Sequence, residues 1–255
     1  MALLTPDPAA AAVLEAQDVA KSYGGLRAVD GVSFAVRPGE VLGIAGPNGA
    51  GKTTLFDVVS GHTTATRGEV RLAGAVISGD NVHHRCRLGL ARTFQQPTLA
   101  SSLTVLENAY LAASFRRGRT RSRAADVAVA REELDRVGLA ERAERPAGAL
   151  AVYDRKRLMI ATALATNPLA LLLDEPFGGL NPAEIDATIA LVRGVRDSGV
   201  AVVCIEHVMR ALVALADRVL VMHHGAELFA GTPQEMLRDA RVIDVYLGSR
   251  SRRTS

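Results

Sequence analysis

The 255-residue chain is 48% apolar and 22% charged with a formal net charge of +3, a composition that excludes wholesale disorder and collagen-like repeats. No uninterrupted apolar run exceeds six residues, against about 20 for a spanning helix, and Pro6, Asp7 and Pro8 break the start, where the first lysine is Lys21. Neither a membrane span nor a secretory signal is expected, so the chain is read as intracellular. Its positive charge is local: five arginines lie within Arg116–Arg123 and three within Arg250–Arg253. The other 22 basic residues face 27 acidic ones, which argues against a general nucleic-acid surface. Cys86 and Cys204 are far apart and fit neither a disulfide framework nor a zinc spacing.

In chain order, the apolar run Val41–Ala45 reads as a strand and Leu55–Ser60 as part of a helix. Between them, Gly46-Pro-Asn-Gly-Ala-Gly51-Lys52-Thr53 fits the pattern G-x-x-x-x-G-K-[ST]. Glycines let backbone N–H groups turn toward phosphate oxygens, and the following helix N-terminus adds the positive end of its dipole. Lys52 is then placed for the β- and γ-phosphates and the Thr53 hydroxyl for Mg²⁺. From Gln95 to Ala161 the pattern is helical with no convincing strand, and Thr104-Val-Leu-Glu107 is a capping box. Arg116–Arg123 is read as a loop interrupting this region, solvated or lying near a membrane surface. Leu169–Leu173 and Val200–Ile205 are apolar on both faces, as buried parallel strands are. Asp174 and Glu175 follow the first of these, at the strand end where ligands bind in parallel sheets. Asp174 is a candidate for Mg²⁺, through water, and Glu175 for polarising an attacking water. Asn181-Pro182-Ala183-Glu184 opens a helix that Gly199 closes, and Thr232-Pro233-Gln234-Glu235 repeats the cap signal. The alternation implies an α/β fold with a largely parallel sheet and an α-rich insertion.

These motifs resemble the ABC transporter nucleotide-binding family from Leu14 to Gly248. GPNGAGKTT (Gly46–Thr54) resembles its phosphate motif, so that Gly46, Asn48, Gly49, Gly51, Lys52, Thr53 and Thr54 are implied to bind ATP. ARTFQQ (Ala91–Gln96) resembles the Q-loop, implying Gln95 as a contact to Mg²⁺ and water, with Gln96 beside it as the alternative. LLLDEP (Leu171–Pro176) resembles the second nucleotide motif and Gly178–Asn181 the D-loop. CIEH (Cys204–His207) resembles the switch region, implying that His207 touches the γ-phosphate, and Tyr23 stands where the family stacks an aromatic on adenine. YGGLRAV, LTVLENAYLAA, DEPFGGLNPAE and GTPQEMLRDARVIDVYLG are similar to the ATPase subunits of branched-chain amino-acid importers. The resemblance implies a mixed-sheet core at 12–94 and 162–248, a helical subdomain at about 95–161, and a basic tail at 249–255. It also implies a second ATPase subunit, two transmembrane permease subunits, indirectly a solute-binding protein, and a place on the inner face of the cell membrane.

One motif departs from the family. Where a Leu-Ser-Gly-Gly-Gln signature is expected, the chain has Leu150-Ala151-Val152-Tyr153-Asp154. Ala151 has no hydroxyl, and Val152 and Tyr153 add bulk where backbone must approach a phosphate held by the opposite subunit. Two copies of this chain are therefore expected to hydrolyse ATP poorly. Two readings stand: a transport ATPase completed by a non-identical partner, or a nucleotide-dependent scaffold or regulator with little turnover.

Overall fold

The computed structural model describes residues 11–95, 98–118 and 122–247. The chain begins with the hairpin β1 (Leu14–Tyr23) and β2 (Leu26–Val36), then passes through β3 (Val41–Ala45) into α1 (Lys52–Ser60). β4 (Arg67–Leu72), β5 (Ala75–Val76), α2 (Val82–Leu88) and β6 (Leu90–Arg92) lead to three helices, α3 (Val105–Ala113), α4 (Arg123–Arg136) and α5 (Val152–Ala165). There follow β7 (Ala170–Asp174), α6 (Pro182–Asp197), β8 (Ala201–Ile205) and α7 (Met209–Leu215). The hairpin β9 (Arg218–His223) and β10 (Ala226–Gly231) precedes α8 (Pro233–Met236) and α9 (Ala240–Leu247).

The strands form an antiparallel sheet of order β2-β1-β4-β5 and a six-stranded sheet of order β10-β9-β3-β8-β7-β6. The second is parallel except for β10. Every residue of β3, β7 and β8 is buried, and the pleat explains their unbroken apolar runs. Leu171, Leu173, Val202 and Cys204 join the core beneath α3 to α6, whereas Leu172, Val203 and Ile205 join the core shared with α1 and the antiparallel sheet. Both faces are covered. Because β3, β8, β7 and β6 run parallel as neighbours, the segments leaving Ala45, Ile205, Asp174 and Arg92 emerge at one sheet edge.

Helix starts follow the local cap chemistry. Thr104, Asn181 and Thr232 each accept a hydrogen bond from the N3 amide while the N3 glutamate carboxylate accepts one from the backbone amide of the cap. α6 ends one residue before its Ser198 cap, and Gly199 turns left-handed at φ +92°.

Two expectations need adjusting. The helical region does not stop at Ala161: α5 continues to Ala165 because Ala161, Leu164 and Ala165 keep an apolar face buried, and the breaker comes at Asn167-Pro168. The arginine segment is not simply a solvated loop. Arg116 pairs with the fully buried Asp126, Arg117 Nε donates to the Asn167 carbonyl at 3.1 Å, and Arg123 opens α4 over the Tyr110 ring. Arg119 and Arg121 lie outside the described residues, as do Gln96, Gly248 and the tail 249–255.

Candidate functional site

The turn from β3 into α1 is a loop that only glycine can form. Gly46 has φ +144°, and a Cβ there would lie 2.2 Å from the Met222 carbonyl oxygen. Gly51 has φ +96°, and a Cβ there would lie 2.1 Å from the Ala28 carbonyl oxygen. The loop is thus pressed against β9 and β2 and held in shape from behind. Gly51 is the N-cap of α1 and supplies no side-chain acceptor, so the first amides of the helix are left for an external anion. Lys52 is 8% exposed, and its Nζ donates to the carbonyls of Gly46 at 2.7 Å and Pro47 at 2.9 Å. Burial lowers its pKa, while Glu175 and Asp174 oppose that shift and favour the ammonium. A cleft of about 580 Å³ opens in front of the loop, lined by Asn48, Gly49, Gly51, Lys52, Thr53 and Thr54. Gln95 and Glu175 border it, together with Leu26, Arg27 and His224. Gly46 sits behind the loop. Tyr23, half exposed, pairs across the hairpin with Leu26 and has Lys21 Nζ 4.9 Å from its ring centre.

The acidic residues sit at the ends of neighbouring strands. Glu175 adopts φ +49°, an uncommon conformation for a residue with a side chain. Its amide donates to the Ile205 carbonyl at 3.0 Å, and its own carbonyl accepts from Lys156 Nζ at 2.9 Å. So held, its Oε2 accepts from Gln95 Nε2 at 2.7 Å and lies 3.7 Å from His207 Nδ1. Beneath His207, the fully buried Glu206 accepts from the amides of Phe177, His207 and Val208 at 2.7–3.1 Å. Asp174 is 6% exposed and points aside from the cleft, where Arg92 donates to it at 3.0 Å. Burial pushes the Asp174 carboxyl up and the Arg92 hydrogen bond pulls it back down. Thus Lys52, Thr53, Gln95, Glu175 and His207 are gathered at one edge, with Asp174 at its side.

The degenerate signature begins α5. Ala151 is the N-cap, with extended backbone and no side-chain hydrogen bond, and Val152 is 54% exposed. The Arg157 guanidinium lies 4.5 Å from the Tyr153 ring centre, and Asp154 is tied to Arg142 and Arg157.

Several residues at the site are not singled out by sequence reasoning: Arg92, Asp57, Lys156, Glu206, Arg27, His224 and Tyr246. The Tyr246 phenol accepts a hydrogen bond from the Gly46 amide, which ties α9 to the loop, while burial raises its pKa. Lys156 carried a usable signal, being one of three lysines in the chain. A separate apolar groove of about 500 Å³ lies between α2, α3 and the segment after Gln95. Val82, Leu99, Ala112 and the exposed Leu111 and Phe115 line it.

A model of the ABC transporter family matches residues 29–178. The chain is 38% identical over 250 residues to the high-affinity branched-chain amino acid transport ATP-binding protein BraF of Pseudomonas aeruginosa, covering 92% of this chain and 98% of the relative. It is 34% identical over 237 residues to the lipopolysaccharide export system ATP-binding protein LptB of Escherichia coli (strain K12), covering 93% and 98%. Among solved structures, the ADP conformation of MJ1267, an ATP-binding cassette of an ABC transporter, superimposes with a TM-score of 0.84 at 29% identity, covering 93% of this chain and 99% of that one.

Proposed function

The chain belongs to the ABC transporter family of ATP-binding, ATP-hydrolysing subunits, and from that premise we propose that it powers an importer of branched-chain or related amino acids. Import is favoured over export by the higher identity to BraF than to LptB. The observation that carries the reading is the Lys52 loop facing the Gln95–Glu175 pair across one cleft.

In this reading, the amides around Asn48, Gly49 and Gly51, with Lys52, Thr53 and Thr54, hold the phosphates, and Gly46 lets the loop pack. Tyr23 stacks on the base. Mg²⁺ supplies charge neutralisation at the β- and γ-phosphates. The Thr53 hydroxyl, Asp174 and Gln95 fit it, as oxygen donors few enough to leave positions for phosphate and water. Glu175 takes the proton of the attacking water, Gln95 orients that water and His207 meets the γ-phosphate.

Residues 12–248 act as one ATPase domain, with the helical region at about 95–161 as its subdomain and 249–255 as a basic tail. Among the described residues no helix is long and apolar enough to cross a membrane. In this reading two permease subunits carry the transport path, hold the chain on the inner face of the membrane and receive solute from a binding protein. In this reading the apolar groove receives a permease helix, because its wall carries the exposed Leu111 and Phe115. The missing hydroxyl at Ala151 favours a non-identical ATPase partner whose intact signature completes the site built on this chain. The same feature supports the second reading, a scaffold or regulator with little turnover.

Purification from membranes separates them. Co-purifying permeases and ATP-driven leucine uptake in vesicles are expected, both lost on Phe115→Arg with ATP binding kept. A chain recovered without membrane subunits would favour the regulator.

A further inference from the structure

Arg92 occupies an unusual place. It ends β6, its side chain is 5% exposed, and it bridges the helix α1 and the end of β7. One terminal nitrogen donates to Asp57 Oδ1 at 2.6 Å and Ser60 Oγ at 3.0 Å, both on α1. The other donates to Asp174 Oδ2 at 3.0 Å, at the end of β7. The guanidinium carbon lies 5.5 Å from the Phe56 ring centre and 5.0 Å from that of Phe94, which fixes its plane. α1 begins with Lys52 and Thr53, and β7 leads directly into Glu175. One cation therefore spans the helix that carries the phosphate-binding lysine and the strand that carries the carboxylates.

We infer that Arg92 is a positioning residue for ATP hydrolysis, holding Asp174 at a fixed distance from the phosphate loop so that its carboxylate stays at the side of the cleft where the nucleotide-bound cation needs it. This rests on the reading of Asp174 as the Mg²⁺-side carboxylate. The planar fork is what the task requires, since two divergent carboxylates need donors pointing two ways. A lysine offers a point charge that satisfies one of them. Asp57 is a third exposed and hydrates readily, whereas Asp174 is buried and cannot. Loss of the bridge thus falls on Asp174, whose carboxylate is no longer held in place, and the cation loses a preset partner. Residues that orient metal ligands from behind typically contribute about 10–100-fold in metal affinity or activity.

The test uses the full chain with the fluorescent analogue mant-ATP, titrated with Mg²⁺, for wild type, Arg92→Lys and Asp57→Asn. In Arg92→Lys, nucleotide binding without Mg²⁺ stays within about twofold of wild type, because the loop and Lys52 are intact. The Mg²⁺ concentration giving half the Mg²⁺-dependent change rises by about tenfold. Asp57→Asn removes the negative charge from the α1 arm yet keeps Arg92 and Ser60, and shifts the same midpoint in the same direction by a smaller factor. In the assembled complex kcat falls while KM for ATP changes little. A lowered melting temperature with an unmoved Mg²⁺ midpoint in both variants would reduce Arg92 to a packing role and overturn the inference. If Arg92→Lys does not fold, Asp57→Asn alone decides by the same midpoint. If wild type itself shows no Mg²⁺ dependence, it is the reading of Asp174 that fails.

Discussion

Ala151→Ser restores a hydroxyl at the start of α5, and the structure allows its effect to be sized. Ala151 sits at φ −64°, ψ 162°, the extended N-cap geometry, and no side chain caps the helix there. A serine Oγ in that backbone accepts from the N2 or N3 amide, those of Tyr153 and Asp154. The Asp154 carboxylate does not already serve, being engaged by Arg142 and Arg157. Replacing a serine N-cap by alanine typically costs about 1 kcal/mol, so the reverse change gains about as much. For a chain of this length that is a rise in Tm of about 2–3 °C. Differential scanning calorimetry of the isolated nucleotide-free chain measures it, with Ala151→Val as the control that gains nothing. Adding Val152→Gly and Tyr153→Gly tests turnover separately, since glycines in the first turn cost up to about 1 kcal/mol each and cancel the stability gain. ATPase activity of this chain alone should nevertheless rise, because the phosphate-facing backbone is freed. A serine variant with unchanged or lower Tm would refute the cap geometry, and a triple variant no more active than wild type would refute the signature argument.

Lys52→Ala should weaken ATP binding by at least about tenfold in calorimetry with the fold retained, since a charge-assisted contact is lost; unchanged affinity would remove the loop from the site. Glu175→Gln should nearly abolish steady-state ATPase activity of the assembled complex, whereas the matching change in a partner with an intact signature leaves much of it. Equal losses from the two mutants, or brisk turnover by this chain alone, would falsify the asymmetric reading. Asp239, before α9, is held down to about 2, chiefly by the Arg241 guanidinium, with the amides of Val242 and Arg241 assisting. A depressed carboxyl stabilises the folded state above its ordinary value of 3.8 and loses that contribution as pH falls toward 2. The stability difference between wild type and Asp239→Asn in urea titrations should therefore be full at pH 5 and shrink below pH 4; a pH-independent difference would contradict this.

Much of the site was legible before any coordinates. The phosphate loop, the Asp174–Glu175 pair and the three capping boxes are contiguous motifs. Their conformation depends on backbone dihedrals and hydrogen bonds between residues three or four apart. β3, β7 and β8 announce themselves as unbroken apolar runs because both faces of a parallel sheet are covered. The antiparallel sheet was harder to read. β1 is irregular in register on both sides between Ala16 and Lys21, with Asp18 at φ +47°, so its alternation fails where a strand pattern would be sought.

Tertiary structure alone decided which charges meet. Arg92 lies 35 residues from Asp57 and 82 from Asp174, and only the β6–β7 pairing, with Arg92 opposite Leu172, brings the three together. The same is true of Glu206 beneath His207, of Tyr246 reaching Gly46, and of Arg116 paired with Asp126 where a solvated loop was expected. Sequence by itself determined the local shapes and the chemical groups available, because those follow from each residue and its near neighbours. The partnerships among buried charges depend on sheet register and helix packing over long separations, and no short window of residues contains that information.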